Sequence, residues 1–508
     1  MGTHHGRTTA FAGAALVAAL ALAGCTASSG EADGASARQG DRASAEELWP
    51  DGGGTPDDPA TDDEPAPPSV AADLTDPADD PLSTFALDID TGSYTRFRDA
   101  VTRGGSIDPW EVRTEEFVNY FAQDYATPER GLGVSIDATT LPFRPEHRLV
   151  RVGIASAPTS AAGRTDVDLA LVVDCSGSMS EAGKMETTQH ALRTLASSLR
   201  PTDRLALVCY STEAEVMLPP TPASERDLIL ETIDRLAPRE STNAAAGLAL
   251  GYDLAMEMRT EGRMSRVVLV SDGVANVGET DPEGILARIS TEAKAGTNLV
   301  SVGVGITTYD YHLLEQLADQ GDGWHVYVDS DAEAQRVFAA DLTGSLVVAA
   351  TDARAQVVFD PAQVSGYRLL GYENRALADE DFRNDAVDGG EVFAGHTTTA
   401  LYEVAMRKDR SAEPFVTATV RYLDDDGEAV ERFASLDRAE CASSPREASP
   451  RLRQDLVVAM LTDRLTDGPW SQTVSDVELR AEAEALPAAL DRDPDVLELV
   501  RLVDLATA

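Results

Sequence analysis

The chain has 508 residues, which is enough for two to four domains and a large buried core. It carries 42 Lys and Arg against 87 Asp and Glu, a formal net charge of −45. A field of that sign argues against non-specific binding to nucleic acid or to an anionic membrane surface, because it repels both. The hydrophobic fraction of 43% and the charged fraction of 25% exclude a wholly disordered or fibrous chain, and four cysteines are too few for a disulfide-built scaffold.

Residues 1–25 have the pattern of a secretory signal peptide. Arg7 precedes an apolar stretch of Ala and Leu that is too short to span a bilayer, which needs about 20 apolar residues. The stretch ends in the letters LAGC at Cys25, which resemble a bacterial lipobox, where small residues precede a cysteine that becomes lipidated. We therefore predict a lipoprotein anchored in the cell envelope, outside the cytoplasm, through a lipid on Cys25. An ordinary signal peptide with a chance cysteine is the alternative.

The segment 26–82 is predicted to be a disordered tether. It is rich in Gly, Ala, Ser and Pro, and it holds 15 acidic and 2 basic residues, a net charge of −13. Such a segment cannot bury enough apolar surface to offset the entropy of ordering it, and its like charges extend it by repulsion. Folded structure is expected to begin near Ser83.

Three further segments lie before and after a central region, and in each of them the apolar residues recur with a different spacing. Residues 83–165 predict a short strand, two helices and then strands over 134–154, forming a small N-terminal domain that packs on the central region. Residues 348–445 alternate apolar and polar positions with a period of two, which predicts an antiparallel β domain. Residues 446–508 return to a helical period and predict C-terminal helices.

The central region, residues 166–347, alternates short apolar runs with amphipathic helical patterns. This alternation predicts an α/β fold, a doubly wound and mostly parallel sheet with helices on both faces. The predicted strands are 168–174, 204–210, 266–272, 298–305 and 324–329. Two amphipathic helices are predicted in the first half of this region. Further helices are predicted around 244–258, 281–295, 310–320 and 332–347.

Oxygen-bearing side chains follow two of these strands. The first strand runs into a D-x-S-x-S sequence, which contains Asp174, Ser176 and Ser178, and the third strand ends at Asp272. Thr242 lies just before the helix predicted at 244–258. Ligands of open α/β sheets bind outside the carboxyl ends of the strands, so these five side chains can face one spot.

Two carboxylates and three hydroxyls, without His or Cys, form a hard, all-oxygen set of ligands. Such a set suits Mg²⁺, which we prefer, or Mn²⁺ or Ca²⁺, rather than Zn²⁺. Since only two of the side chains are charged, a bound dication would stay electrophilic and would favour an acidic ligand at an open coordination position.

The arrangement resembles the metal-ion-dependent adhesion site of von Willebrand factor type A (VWA) domains. All five positions of that pattern are present: Asp174, Ser176, Ser178, Thr242 and Asp272. The resemblance implies that the three hydroxyls contact the metal, that the two aspartates bind it directly or through water, and that a carboxylate of the ligand completes the sphere. A degenerate domain, in which Asp174 and Ser178 serve only as turn and cap residues, is the alternative.

The resemblance extends beyond this domain. The letters STFALDIDTGSY and VRTEEFVNYF are similar to the N-terminal segment of bacterial VWA lipoproteins, and YRLLGYENRALADEDFRND with GHTTTALYE is similar to their C-terminal β region. We therefore expect a lipoprotein that binds a carboxylate of a protein partner through the metal, without catalytic residues. A structural envelope component whose metal only stabilises loops is one alternative. A metal-dependent hydrolase is disfavoured, because no Glu, His or Lys base lies beside the metal ligands in sequence.

Three smaller patterns have simpler interpretations. Cys175 and Cys209 lie near the ends of two predicted strands and are interpreted as buried, inert thiols, with a disulfide between them as the less favoured alternative. Residues 90–93, DTGS, match an aspartic protease tetrapeptide, but a second such motif is missing, so Asp and Ser are expected to cap the next helix. Residues 181–184, EAGK, end like a phosphate-binding loop but lack its first Gly and its Ser or Thr.

Overall fold

The computed structural model of the protein describes most of the chain from residue 73 onward. The described residues are 73–87, 89–158, 165–181, 183–239, 241–273, 282–305, 308–341, 348–372, 375–384, 387, 389–408, 413–424 and 427–508. The predicted signal peptide, the predicted lipidation site Cys25 and most of the predicted tether lie outside them. Among the described residues, no helix combines the length and the apolar character needed to cross a membrane.

The described part of the chain contains both β-strands and α-helices, numbered here in chain order. The strands are β1 (Leu82–Ala86), β2 (Leu132–Leu141), β3 (Arg144–Ser156), β4 (Val167–Asp174), β5 (Arg204–Tyr210), β6 (Ala214–Pro222), β7 (Met264–Ser271), β8 (Thr297–Gly303), β9 (Trp324–Tyr327), β10 (Val348–Phe359), β11 (Val364–Leu370), β12 (Ala376–Leu377), β13 (Gly390–Phe393), β14 (Thr397–Met406), β15 (Val416–Leu423) and β16 (Ala429–Leu436). The α-helices are α1 (Gly92–Thr102), α2 (Thr114–Asn119), α3 (Lys184–Ser198), α4 (Arg226–Asp234), α5 (Ala244–Met258), α6 (Pro282–Lys294), α7 (Thr308–Gln320), α8 (Asp331–Gln335), α9 (Pro450–Leu465), α10 (Asp476–Ala489) and α11 (Pro494–Ala506).

The central α/β module, residues 166–341, is a six-stranded sheet covered by helices. Its strand order is β6-β5-β4-β7-β8-β9, and every neighbouring pair is parallel except β5 and β6. Helices α3 and α4 pack against one face of the sheet. The core between them contains Leu171 of β4, Leu192 of α3 and Ile229 of α4. Helix α5 lies on the opposite face, where Gly251 comes against Val172. The predicted doubly wound α/β fold is thereby confirmed.

Strand β6 is the element of this sheet that the sequence pattern did not predict. It is an edge strand, antiparallel to β5, and it contains Pro219, Pro220 and Pro222. Proline cannot donate a hydrogen bond to a ladder and is tolerated in a sheet mainly at an edge. The same prolines made the segment unlike a strand in the sequence.

The strands before and after the α/β module form one β-sandwich rather than two domains. One sheet has the order β12-β1-β10-β15-β16, with β13 also paired to β10, and the other has the order β11-β14-β3-β2. The prediction of separate domains at 83–165 and 348–445 is therefore corrected: β1 lies between β12 and β10, and β3 pairs with β14 over nine residue pairs from Thr397↔Ala155 to Ala405↔His147.

The physical reason for this interleaving is the apolar surface of the N-terminal strands. Phe85, Val150 and Val152 are fully buried in a core that also contains Phe359 and Tyr402 from the later strands. A lone two-stranded hairpin of β2 and β3 could not cover such a face, since an isolated hairpin is marginally stable at best in water.

The folded body also includes the end of the predicted tether. Thr75 and Tyr367 exchange two backbone hydrogen bonds, with N···O distances of 2.8 and 3.0 Å. The hydroxyl of Tyr367 donates to the carbonyl of Leu82 at 2.5 Å. Folded structure therefore includes Thr75 and does not begin only near Ser83.

The predicted C-terminal helices are present as α9, α10 and α11, and they pack against the N-terminal helices. Tyr94 and Phe97 of α1 and Phe117 of α2 share one buried core with Leu456 of α9 and Leu499 of α11. The first and last helices of the described chain therefore stabilise each other.

A buried ion cluster centred on Arg98 joins this helical layer to the α/β module. The guanidinium of Arg98 in α1 lies 2.6 Å from Asp329, which follows β9, 2.7 Å from Glu333 of α8, and 3.0 Å from Glu498 of α11. Burial alone would raise the pKa of Glu333, but the charges of Arg336 and Arg98 outweigh it, and the pKa is lowered. The cluster holds three carboxylates from two parts of the fold around Arg98, and Arg336 also pairs with Glu333.

We predict that Arg98→Met lowers the free energy of unfolding by about 3–5 kcal/mol, because it removes the counter-charge of the buried Asp329 and leaves Glu333 with Arg336 alone. Arg103→Met, on the same helix, is the matched control. Its side chain is 69% exposed and pairs only with Asp99, so its loss should cost less than about 1 kcal/mol. Urea denaturation of both variants checks the prediction, and equal losses would contradict it.

Candidate functional site

Asp174 ends β4 at the carboxyl edge of the parallel sheet, and donors from neighbouring segments hold its carboxylate. Oδ1 accepts the backbone N–H of Ser176 at 2.7 Å. Oδ2 accepts the hydroxyls of Tyr210, at the end of β5, at 3.1 Å and of Ser271, at the end of β7, at 2.8 Å. Burial raises the pKa of Asp174, and the charge of Asp272 also raises it, while the hydrogen bonds oppose the rise. This carboxylate is a fixed, internal part of the site.

A chain of hydroxyls leads from the β4 loop to the second predicted aspartate. The Oγ atoms of Ser176 and Ser178 lie 2.8 Å apart, and Ser178 Oγ donates to Asp272 Oδ1 at 2.9 Å. Ser178 is exposed, whereas Ser176 is buried. The structure thus brings Asp174, Ser176, Ser178 and Asp272 together, with the exposed hydroxyl of Ser178 open to solvent.

Thr242, the fifth predicted residue, lies half-buried in the loop before α5. The helix is capped by Asn243, whose Oδ1 accepts the N–H of Ala246 at 3.0 Å. The loop is tied to the site by the N–H of Arg239, which donates to the carbonyl of Cys175 at 2.6 Å. Within the described part of the chain, no hydrogen bond joins Thr242 to the other four residues, so its place as a ligand stays a prediction.

A lysine that the sequence pattern did not single out lies in the site. Lys184 Nζ is 2.9 Å from Asp272 Oδ2 and 2.9 Å from Glu181 Oε2. Partial burial lowers the pKa of Lys184, but its bonds to Glu181 and Asp272 outweigh this, and the pKa is raised. A charged ammonium is no general base. The available signal was the position of Lys184 at the end of the EAGK letters, six residues after Ser178 and directly before the helical pattern that begins with Met185.

Cys175 and Cys209 form a disulfide, which corrects the expectation of two free thiols. Strands β4 and β5 pair so that Val173 faces Cys209, and Cys175 follows one residue beyond the end of β4. The two Cα atoms are 5.8 Å apart, within the range that a disulfide spans. The residue between Asp174 and Ser176 is therefore covalently attached to the neighbouring strand, next to Tyr210.

The DTGS letters at residues 90–93 have a structural role that differs from the expected one. Asp90 Oδ1 accepts the N–H of His325 at 3.0 Å, which ties the segment to β9. The N–H of Ser93, in the first turn of α1, donates to Glu116 Oε2 at 2.7 Å. A glutamate of α2 therefore accepts a hydrogen bond from the first turn of α1, and Asp90 ties the preceding segment to β9.

The side chains of the site fit a hard divalent cation by their chemistry. Two carboxylates and the hydroxyls of Ser176 and Ser178 are oxygen donors of the kind that Mg²⁺ prefers. A cation, the ammonium of Lys184, already lies against Asp272. In the part of the chain that the structure describes, no cluster of three or more His, Cys, Asp or Glu is placed to hold a metal ion.

Three family models match successive parts of the chain. The model described as von Willebrand factor matches residues 68–151, and the von Willebrand factor type A domain matches residues 168–340. The model described as uncharacterized protein YfbK, C-terminal, matches residues 344–508.

Individual proteins are similar to parts of the chain. The chain is 33% identical over 344 residues to the uncharacterized protein YfbK of Escherichia coli (strain K12), covering 66% of this chain and 60% of that protein. It is 30% identical over 179 residues to inter-alpha-trypsin inhibitor heavy chain H3 of Homo sapiens, covering 33% of this chain and 20% of that protein. The chain therefore spans less than two thirds of either relative. A solved structure, von Willebrand factor type A from Catenulispora acidiphila, aligns with 15% identity and a TM-score of 0.41, covering 75% of this chain and 89% of that one.

The fold and the matches over its α/β module define the class: this is a protein with a VWA domain. The matched segments on either side make it YfbK-like, with an N-terminal von Willebrand factor segment and a YfbK C-terminal domain. The C-terminal match begins at residue 344, so it includes all of the later strands of the sandwich, β10 to β16, together with α9, α10 and α11.

The disulfide gives a direct prediction for stability. Replacing Cys175 and Cys209 together by Ala should lower the free energy of unfolding by about 2–4 kcal/mol, since the bond closes a loop with a sequence separation of 34. Urea denaturation checks this. Cys441→Ser, at the free and half-buried cysteine, is the control and should change stability by less than about 1 kcal/mol.

Alkylation before and after reduction provides the independent readout for this prediction. Mass spectrometry of the denatured, unreduced protein should find Cys441 alkylated and Cys175 and Cys209 protected. Alkylation of all three cysteines without reductant would contradict the disulfide.

Proposed function

We propose that this protein is a cell-envelope lipoprotein whose VWA domain binds a protein partner through a divalent cation, with Mg²⁺ as the preferred ion. The observation that carries the proposal is the convergence of Asp174, Ser176, Ser178 and Asp272 at one sheet edge, with Ser178 exposed. Ligands of open α/β sheets bind at this edge.

Each side chain would have a distinct task in that function. Ser176, Ser178 and Thr242 would supply hydroxyl oxygens, and Asp174 and Asp272 would supply the negative charge. When bound, the cation would attract a carboxylate of the partner, because two carboxylates leave it electrophilic. Binding rather than catalysis is favoured because the ammonium of Lys184 is engaged by Asp272 and Glu181 and is therefore not a free base.

The membrane attachment belongs to the same proposal. A lipid on Cys25 would place the folded body outside the cytoplasm, and the acidic segment 26–82, with its net charge of −13, would repel an anionic surface. The partner would then be met at a distance from the membrane.

A second function, loop stabilisation by the metal in an envelope complex, is favoured by one observation. Asp174 is fully buried, and its carboxylate is already satisfied by Ser176, Tyr210 and Ser271. A metal beside it could fix the loops without engaging any ligand. A cross-linking pull-down from the native envelope separates the two functions: capture abolished by EDTA supports metal-mediated binding, and capture unaffected by EDTA supports the structural role.

We predict that the purified protein binds Mg²⁺ or Mn²⁺ and that Asp272→Asn weakens this binding by more than about 100-fold. Loss of a charged ligand should exceed the 10–100-fold typical of second-shell changes. Asp272 is a better target than Asp174, because both oxygens of Asp174 accept hydrogen bonds, from Ser176, Tyr210 and Ser271, that an amide could not all accept.

Isothermal titration calorimetry with each ion measures this effect. Asp253→Asn is the matched control, because Asp253 lies on exposed surface of the same module and pairs with Arg288. It should bind the ion as the unaltered protein does. Absence of binding by the unaltered protein to Mg²⁺, Mn²⁺ and Ca²⁺ would overturn the proposed function.

A further inference from the structure

Lys184 places a positive charge where a metal would need negative charge. Its ammonium lies 2.9 Å from Asp272 Oδ2, and the other oxygen of that carboxylate accepts Ser178 Oγ at 2.9 Å. Both oxygens of Asp272 therefore already have partners. The side chain of Asp272 is only 4% exposed and that of Lys184 only 15%, so water screens this contact weakly.

The fold makes room for this lysine. Gly305, which follows β8, has a φ of +62°, and a Cβ built on it would lie 2.7 Å from Lys184 Cε. A side chain at residue 305 would thus collide with the lysine stem. Lys184 itself is the first residue of α3, where the preceding Gly183 has a φ of +90°. The position of the ammonium is defined by the helix start and by the space at Gly305.

The second partner of Lys184 differs from the first in its exposure. Glu181 Oε2 is also 2.9 Å from the ammonium, but the side chain of Glu181 is 70% exposed. The lysine therefore bridges a buried carboxylate of the candidate metal site and a carboxylate in solvent. The ammonium could leave Asp272 and stay paired with Glu181, so that one carboxylate would still balance its charge.

We propose that Lys184 is a built-in competitor for the divalent cation at Asp272, an inference that rests on the proposed metal function. A dication held through Asp272 and the ammonium on the same carboxylate repel each other, so binding of one displaces the other. Glu181 is the acceptor that retains the ammonium when the cation binds. Lys184 thereby sets the affinity of the site, which fills only when the cation is abundant.

The test compares the affinity of the protein and of charge variants for Mg²⁺ and Mn²⁺ by isothermal titration calorimetry. Lys184→Met removes the charge and keeps an apolar stem, and it should tighten binding about 5–100-fold, the range of a coupling between two ligands of one site. Lys184→Arg keeps the charge and should bind no more tightly than the unaltered protein. Lys294→Met, at an exposed lysine of α6, is the matched control and should leave the affinity unchanged.

The role of Glu181 is tested by a double-mutant cycle. Glu181→Gln should weaken metal binding about two- to threefold, because the displaced ammonium loses its second partner. In the Lys184→Met background, Glu181→Gln should have little effect on metal affinity, since this variant has no ammonium for Glu181 to bind. An equal effect in both backgrounds would overturn the part assigned to Glu181.

A thermal readout keeps the test independent of folding defects. In EDTA, Lys184→Met should melt at a lower temperature than the unaltered protein, because Asp272 has lost its ion pair. Saturating Mg²⁺ should raise the melting temperature of this variant by more than it raises that of the unaltered protein. An equal or smaller rise would count against competition.

The outcomes separate this inference from the proposed function. If the unaltered protein binds the ion and Lys184→Met binds it equally or more weakly, competition is overturned and the metal function stands. If only Lys184→Met binds, competition is supported and the metal function of the unaltered protein is overturned. If neither binds, both are overturned.

Discussion

The pairing of β3 with β14 is the constraint on which the rest of the structure depends. These strands lie on opposite sides of the α/β module in sequence, and nine residue pairs from Thr397↔Ala155 to Ala405↔His147 join them. With the pairing of β1 and β10, this ladder brings the two ends of the inserted module back to one β-sandwich. The apolar faces of the N-terminal strands are buried only in this arrangement, so the flanking segments stabilise each other and hold the module between them.

The candidate site and the contact of Arg98 with the α/β module share one edge of the VWA domain's sheet. In a parallel sheet all the carboxyl ends lie at one edge, so Asp329 after β9 is at the same edge as Asp174 after β4 and Asp272 after β7. Arg98 from α1 binds Asp329 there. The helical layer formed by the chain ends therefore attaches near β9, at one end of this edge, and the candidate site lies two and three strands away, on β7 and β4.

Local periodicity predicted the α/β module because its strands other than β6, and its helices, carry their own signals, and the predicted strand 204–210 has the bounds of β5. Strand topology alone likewise brings four of the predicted oxygen-bearing side chains to one spot. The pattern failed where structure depends on distant partners, as in the interleaved sandwich and the Cys175–Cys209 bond. Lys184 could not be assigned for the same reason, since its reach into the site depends on the start of α3 and on the space at Gly305.

The two aspartates of the site are held by different kinds of contact, and this difference bears on how the site could work. Asp174 is fixed: it is buried, hydrogen-bonded to Tyr210 and Ser271, and followed by a cysteine that is bonded to β5. Asp272 is held by an ammonium on a flexible stem and by a hydroxyl of an exposed serine, both of which can exchange partners. In a chain with a net charge of −45, an acidic ligand is repelled by the overall field. Attraction of such a ligand must then come from a positive charge close to it. Because the partners of Asp272 can exchange, Asp272 is the carboxylate at which a positive charge can bind or leave.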